Sequence, residues 1–162
     1  LIMRILLTEY GQTALKCIMD KLPERITYID DDQDLRSLVR DAVEDQEFPG
    51  AFGICGSGDE FFKRVRVLQP QLILLDLRMP EMNGADVIEM MQRVPETEGL
   101  PVIFLTGVAD IEMIKSYEKL GVIGVIHKPF NVDTFLQDVQ KIWVEYGPAE
   151  REGEADSDSQ QD

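Results

Sequence analysis

Four short apolar runs in the sequence are each followed by a polar residue suited to phosphoryl chemistry. Residues 26–29 lead into Asp30, Asp31 and Asp32; residues 72–75 lead into Asp76; residues 102–105 lead into Thr106; and residues 122–126 lead, past His127, into Lys128. Carboxylates held close together repel one another and resist joint ionisation. A divalent cation removes that penalty, and all-oxygen ligands favour a hard ion, with Mg2+ the usual choice where phosphate is handled. One carboxylate beside the ion can attack phosphorus and form an aspartyl phosphate. Charge on the transferring oxygens is then neutralised by the metal, a lysine and a hydroxyl. Singly, each residue has a plainer role. Asp30 to Asp32 read as a solvated acidic turn that caps a helix, Asp76 as a turn residue, Thr106 as a strand or capping residue, and Lys128 before Pro129 as a solvent-facing loop residue. The set carries the chemistry only if all these strand ends share one edge of a sheet.

The elements between them predict such an edge. After the first run, Leu35, Leu38, Val39, Ala42 and Val43 fall on one face of a helix. Residues 51–55 form a second, weaker strand softened by Gly53, and Phe61, Phe62, Val65 and Leu68 the next helical face. The run 72–75 is continuously apolar, as suits a strand buried on both faces. A helix is predicted over 84–94, ended by Pro95. Asp110 can cap another that carries Ile111, Ile114, Tyr117 and Leu120, with Gly121 just past its end. Val132, Phe135, Leu136, Val139, Ile142 and Trp143 make the last stripe. Five strands alternating with five helices predict an α/β, doubly wound domain with a parallel sheet. In a flavodoxin-like strand order 2-1-3-4-5, ligands gather at the carboxyl ends of the strands near the switch point, where the polar set would converge.

The residues resemble response-regulator receiver domains over about 25–145. Ile29-Asp30-Asp31-Asp32 is similar to the family's acidic turn. Leu75-Asp76-Leu77-Arg78-Met79-Pro80-Glu81-Met82-Asn83-Gly84 closely resembles its phosphorylation segment. Leu105-Thr106-Gly107 resembles its switch threonine, and His127-Lys128-Pro129-Phe130 its lysine-proline motif. The resemblance implies Asp76 as phosphoacceptor. It implies Asp31 and Asp76 as Mg2+ ligands, with Asp30 helping directly or through water and the backbone carbonyl of Arg78 as a further ligand. Lys128 would pair with a phosphoryl or carboxylate oxygen, and Thr106 would move to meet the new phosphate. A cis Lys128–Pro129 bond fits the same pattern at little cost. Two positions depart from it. Val125 stands where many receivers have an aromatic residue, so aromatic-rotamer signalling is not expected, although Thr106 movement could still shift the following helix. Arg78 sits beside the pocket, and its charge is expected to alter the lifetime of the phosphate. His127, the only histidine, is expected at a surface strand end; the phosphodonor would be a histidine on another protein.

Composition bounds the rest. The 162 residues fit one domain, with 44% apolar residues and a net charge of −15. That balance argues against direct binding of nucleic acid or of anionic membrane surfaces, and no run approaches the roughly 20 apolar residues of a membrane span. Cys17 and Cys55 alone suggest a reducing, cytoplasmic setting rather than a disulfide framework. Cys55 is expected to be a core residue. Six acids against Arg151 mark residues 147–162 as a disordered acidic tail. Residues 1–24 read as an N-terminal extension with a short amphipathic helix through Ala14, Leu15, Ile18, Met19 and Leu22, and residues 25–146 as the receiver. A stand-alone receiver of this length would act through protein contacts or onward phosphotransfer. Its partners would be a sensor histidine kinase or histidine phosphotransfer protein, with dimerisation left open, and it would not be an enzyme in the ordinary sense. One rival is a phosphorylation-independent binding module on the same fold. Another is a Mg2+-dependent aspartyl phosphatase, which would want a second acid where Arg78 stands.

Overall fold

The computed structural model describes residues 21–107 and 111–147. Five parallel strands form one sheet: β1 (Arg25–Ile29), β2 (Ala51–Cys55), β3 (Leu72–Asp76), β4 (Val102–Thr106) and β5 (Val122–His127), in the order β2-β1-β3-β4-β5. Among the described residues, five α-helices connect and follow them: α1 (Gln33–Asp45), α2 (Gly58–Leu68), α3 (Gly84–Met91), α4 (Ile111–Tyr117) and α5 (Phe135–Tyr146). This is the flavodoxin-like doubly wound fold expected from the sequence. The expected helix around 14–22, the cap at Asp110, Cys17 and the tail beyond Gly147 lie wholly or mainly outside the described residues.

Alternation along the strands divides the core in two. Ile26, Tyr28, Leu72, Leu74, Ile103 and Leu105 face α1 and α5, where Val39, Val43, Phe135, Leu136 and Val139 meet them. Ile29, Ile73, Leu75, Val102 and Phe104 face the other way, against Phe61 and Val65 of α2 and Val87, Ile88 and Met91 of α3. On that side Tyr117 of α4 packs edge-on to Phe104, ring centres 5.9 Å apart. Every residue of β3 and β4 is buried, which explains their unbroken apolar runs. Each fully buried aliphatic side chain contributes about 1.5–3 kcal/mol. No described helix is long and apolar enough to cross a membrane.

Caps fix where the helices begin. The Asp32 carboxylate accepts from the backbone N–H groups of Asp34 and Leu35, and Asn83 and Asp86 form a reciprocal capping box at α3. Helix α3 stops at Met91, short of the expected 94. Backbone N–H groups of Arg93 and Val94 turn back to the carbonyls of Met90 and Met91 in tighter turns. The buried Thr97 hydroxyl is shared between the Met91 and Val94 carbonyls at 2.9 and 3.0 Å. Pro95 lacks the N–H that a longer helix would use. Past the Glu118–Leu120 turn that follows α4, Gly121 takes φ 99°, as its position in the sequence predicted.

Gly84 is where the chain after β3 folds back under the strand end. A methyl group there would lie 2.7 Å from the Asp76 carbonyl oxygen and 2.8 Å from Leu77 Cα, both rigid backbone. At Gly58 a methyl would meet Met82 Sδ at 2.6 Å and Val87 Cγ2 at 2.7 Å, both side-chain atoms and the first flexible. Gly84→Ala should therefore destabilise by about 1–3 kcal/mol, and Gly58→Ala by clearly less. Urea unfolding of the two variants checks this order.

Candidate functional site

Strand ends β1, β3 and β5 bring three of the predicted residues into direct contact. Lys128 follows β5, and its Nζ donates to Asp30 Oδ2 at 2.6 Å and lies 3.1 Å from Asp76 Oδ2. The Asp30 side chain is wholly buried and that of Asp76 is 8% exposed. Lysine is drawn in only to 22% exposure, and its backbone N–H donates to the Thr106 carbonyl at 2.9 Å. Asp31 stays exposed, yet one carboxylate oxygen from each of Asp30, Asp31 and Asp76 lies within 4.8 Å of the others. Thr106 ends β4 with its side chain buried, in register with His127 of β5. Arg78 is exposed, and its backbone N–H donates to Asp76 Oδ1 at 3.1 Å. The Lys128–Pro129 peptide bond is cis. His127 is exposed at the end of β5, and Val125 is half-buried among the residues of the α2–α3 side.

The acidic turn therefore divides its labour. Asp30 turns inward, Asp31 borders the opening, and Asp32 caps α1. The plain capping role and the functional one are both present, on different residues. Two contacts to Asp30 were missed at the sequence level. The buried Tyr28 hydroxyl donates to Asp30 Oδ2 at 2.7 Å, a contact signalled by the spacing of two that puts both side chains on one strand face. Arg36 of α1 donates through Nη1 to the Asp30 carbonyl at 2.6 Å. That contact depends on how α1 packs and has no sequence signal. Besides Lys128 and Tyr28, the Asp30 carboxylate accepts from the Asp32 backbone N–H, 2.9 Å from Oδ1.

Electrostatics follows from burial. Loss of water pushes the Asp76 carboxyl above its ordinary range, aided by the Asp30 charge; the Arg78 N–H and Lys128 oppose the rise without cancelling it. For Lys128, burial alone would lower the value, but hydrogen bonding and charge from Asp30, then Asp76, raise it. Burial and the Asp30 carboxylate push the Tyr28 phenol far up, so it remains a hydrogen donor. Cys55 is a buried free thiol, raised to about 11 by burial, and takes no part in the cluster.

Residues 26–140 match the response regulator receiver domain. The chain belongs to that family. Its relatives include the DNA-binding response regulator MtrA of Mycolicibacterium smegmatis, 33% identical over 113 residues that make up 69% of this chain and 47% of that protein. The chain thus spans about half the length of that relative. Sporulation initiation phosphotransferase F of Bacillus subtilis is 28% identical over 121 residues, 73% of this chain and 92% of that protein. The solved structure of the chemotaxis protein CheY4 of Vibrio cholerae superposes with a TM-score of 0.66 at 21% identity, covering 75% of this chain and 99% of that one; it shares the fold. Receiver domains are signalling modules of two-component systems. They generally bind Mg2+ at an acidic pocket and interact with histidine kinases or phosphotransfer proteins.

In this receiver domain, the raised value for Asp76 has a stability consequence. The folded state holds the Asp76 proton more tightly than the unfolded chain, so the ionised carboxylate costs stability at neutral pH, and the cost vanishes as pH falls below the ordinary carboxylate range. Asp76→Asn should raise the melting temperature at pH 7 without divalent cations. The gain should shrink steadily toward pH 4, as thermal unfolding across that range would show.

Proposed function

We propose that this chain is the phosphoacceptor receiver of a two-component phosphorelay, phosphorylated on Asp76 in a Mg2+-dependent reaction. The observation that carries the proposal is the Lys128 ammonium shared between the carboxylates of Asp30 and Asp76. Three carboxylates against one ammonium leave a formal excess of two negative charges, which one divalent cation cancels. The donor set, all oxygen and partly open at Asp31, fits Mg2+. Asp31 and Asp76 would hold it, with Asp30 acting directly or through water and the Arg78 carbonyl as a further ligand. When bound, the ion supplies positive charge to the transferring phosphoryl oxygens.

The chain's own residues do the rest. An Asp76 carboxylate oxygen forms a bond to phosphorus while the phosphorus–nitrogen bond of a partner's phosphohistidine breaks. The electron pair leaves with the donor nitrogen. Lys128 already lies 3.1 Å from Asp76 Oδ2 and can follow the new negative charge. Thr106, at the end of the neighbouring strand, would supply a hydroxyl to the same group. Arg78, two residues past Asp76, has an exposed side chain that would influence how long the phosphoryl group lasts. Phosphorylation then shifts the balance between two surface states and so changes protein contacts. On this proposal residues 25–146 are the receiver, flanked by an extension at 1–24 and an acidic tail at 147–162, and the protein works in the cytoplasm.

Incubation with Mg2+ and acetyl phosphate, followed by intact mass, tests the proposal. One added phosphoryl group is expected, labile to base, lost without Mg2+ and absent in Asp76→Ala. No adduct on the unaltered protein would favour a phosphorylation-independent binding module. Continuous consumption of the donor without an adduct would favour a phosphatase.

A further inference from the structure

Building on the function proposed above, we infer that Tyr28 is a positioning residue for phosphoryl uptake, whose hydroxyl keeps Asp30 satisfied when Lys128 leaves it. An ionised carboxylate offers about four lone-pair sites. On Asp30, Oδ2 accepts from both Tyr28 Oη at 2.7 Å and Lys128 Nζ at 2.6 Å, and Oδ1 accepts from the Asp32 N–H at 2.9 Å. Both sites on Oδ2 are therefore filled, and only Oδ1 has a site to spare for a metal or water. Lysine is the mobile one of the two donors to Oδ2, because it already spans Asp30 and Asp76.

When Lys128 turns toward a phosphoryl group on Asp76, Asp30 Oδ2 loses a donor in a place with no solvent exposure. A buried acceptor left without any partner is costly. The Tyr28 hydroxyl prevents that outcome, so the movement of Lys128 is opposed less strongly. Its ring is fixed from the same side. Tyr28 packs at a tilt on Phe135, ring centres 6.2 Å apart, and Phe135 stacks on Phe130 at 4.8 Å, two residues past Lys128. One aromatic row thus links the anchor of Asp30 to the loop that carries the lysine.

Tyr28→Phe keeps the ring and removes the hydroxyl. Two affinities are measured by calorimetry: that for Mg2+ alone, and that for beryllium fluoride in the presence of Mg2+, as a mimic of the phosphoryl group on a carboxylate. The variant should bind Mg2+ within twofold of the unaltered protein but bind beryllium fluoride about tenfold more weakly, the factor expected for a lost donor to a buried charge. In an Asp30→Asn background, removing the hydroxyl should no longer change the ratio of the two affinities. Equal beryllium fluoride binding by Tyr28→Phe overturns the inference. So does a parallel fall in both affinities, which marks general loosening of the site. Failure of the unaltered protein to bind beryllium fluoride would instead overturn the proposed function.

Discussion

Two carboxylates, one without solvent exposure and one nearly so, share a single ammonium group at the carboxyl edge of the sheet. Burying such charges unpaired would be severely unfavourable, so the position of Lys128 constrains its surroundings. Neighbouring strands lie about 4.8 Å apart, which puts β5 roughly 10 Å from β3 and farther still from β1. The lysine must therefore reach over the end of β4. A small residue there, Thr106, fits that path, and its carbonyl receives the Lys128 backbone N–H. The chain after β5 leans inward, and Phe130 joins the aromatic row on Phe135.

The same arrangement makes the site responsive. Its three carboxylates outnumber its one ammonium, so it is poised to gain positive charge or to exchange one anion for another. Asp76 has the more adaptable environment, held by one backbone N–H and by the longer of the two lysine contacts. Asp30 is the fixed one, surrounded by donors from Tyr28, Asp32 and Lys128, with its backbone carbonyl held by Arg36. On the function proposed above, a rigid carboxylate beside a more adaptable one would let one acid react while the other helps to orient the cation.

Much of this was legible in the sequence because it is local. Residues 51–55 and 72–75 had strand character in their own composition, and both runs became strands. The polar residues at the run ends then fell at one edge because the parallel topology admits few alternatives. Nonlocal contacts were harder to read. The end of α3 depends on Thr97, six residues past Met91, whose hydroxyl finds carbonyls only after the chain has turned. Without the family resemblance, local sequence did not tell the three consecutive acids apart, since burial of Asp30 and capping by Asp32 depend on where α1 sits. Taken singly, Lys128 read as a surface residue; the acids at the other strand ends, and the family resemblance, are what pointed it inward. Tyr28 had a visible clue in its parity with Asp30, but an apolar strand face also explains a tyrosine.

The most direct measurement is a double-mutant cycle on the shared ammonium, read by chemical unfolding at neutral pH without divalent cations. Lys128→Met alone leaves two carboxylates facing each other and should cost about 3 kcal/mol. Adding Asp30→Asn removes one of the charges that the lysine had neutralised, and should recover most of that loss. Strong coupling of this sign is what the geometry requires. Simple additivity, or a Lys128→Met variant as stable as the unaltered protein, would contradict the view that the ammonium holds the site together.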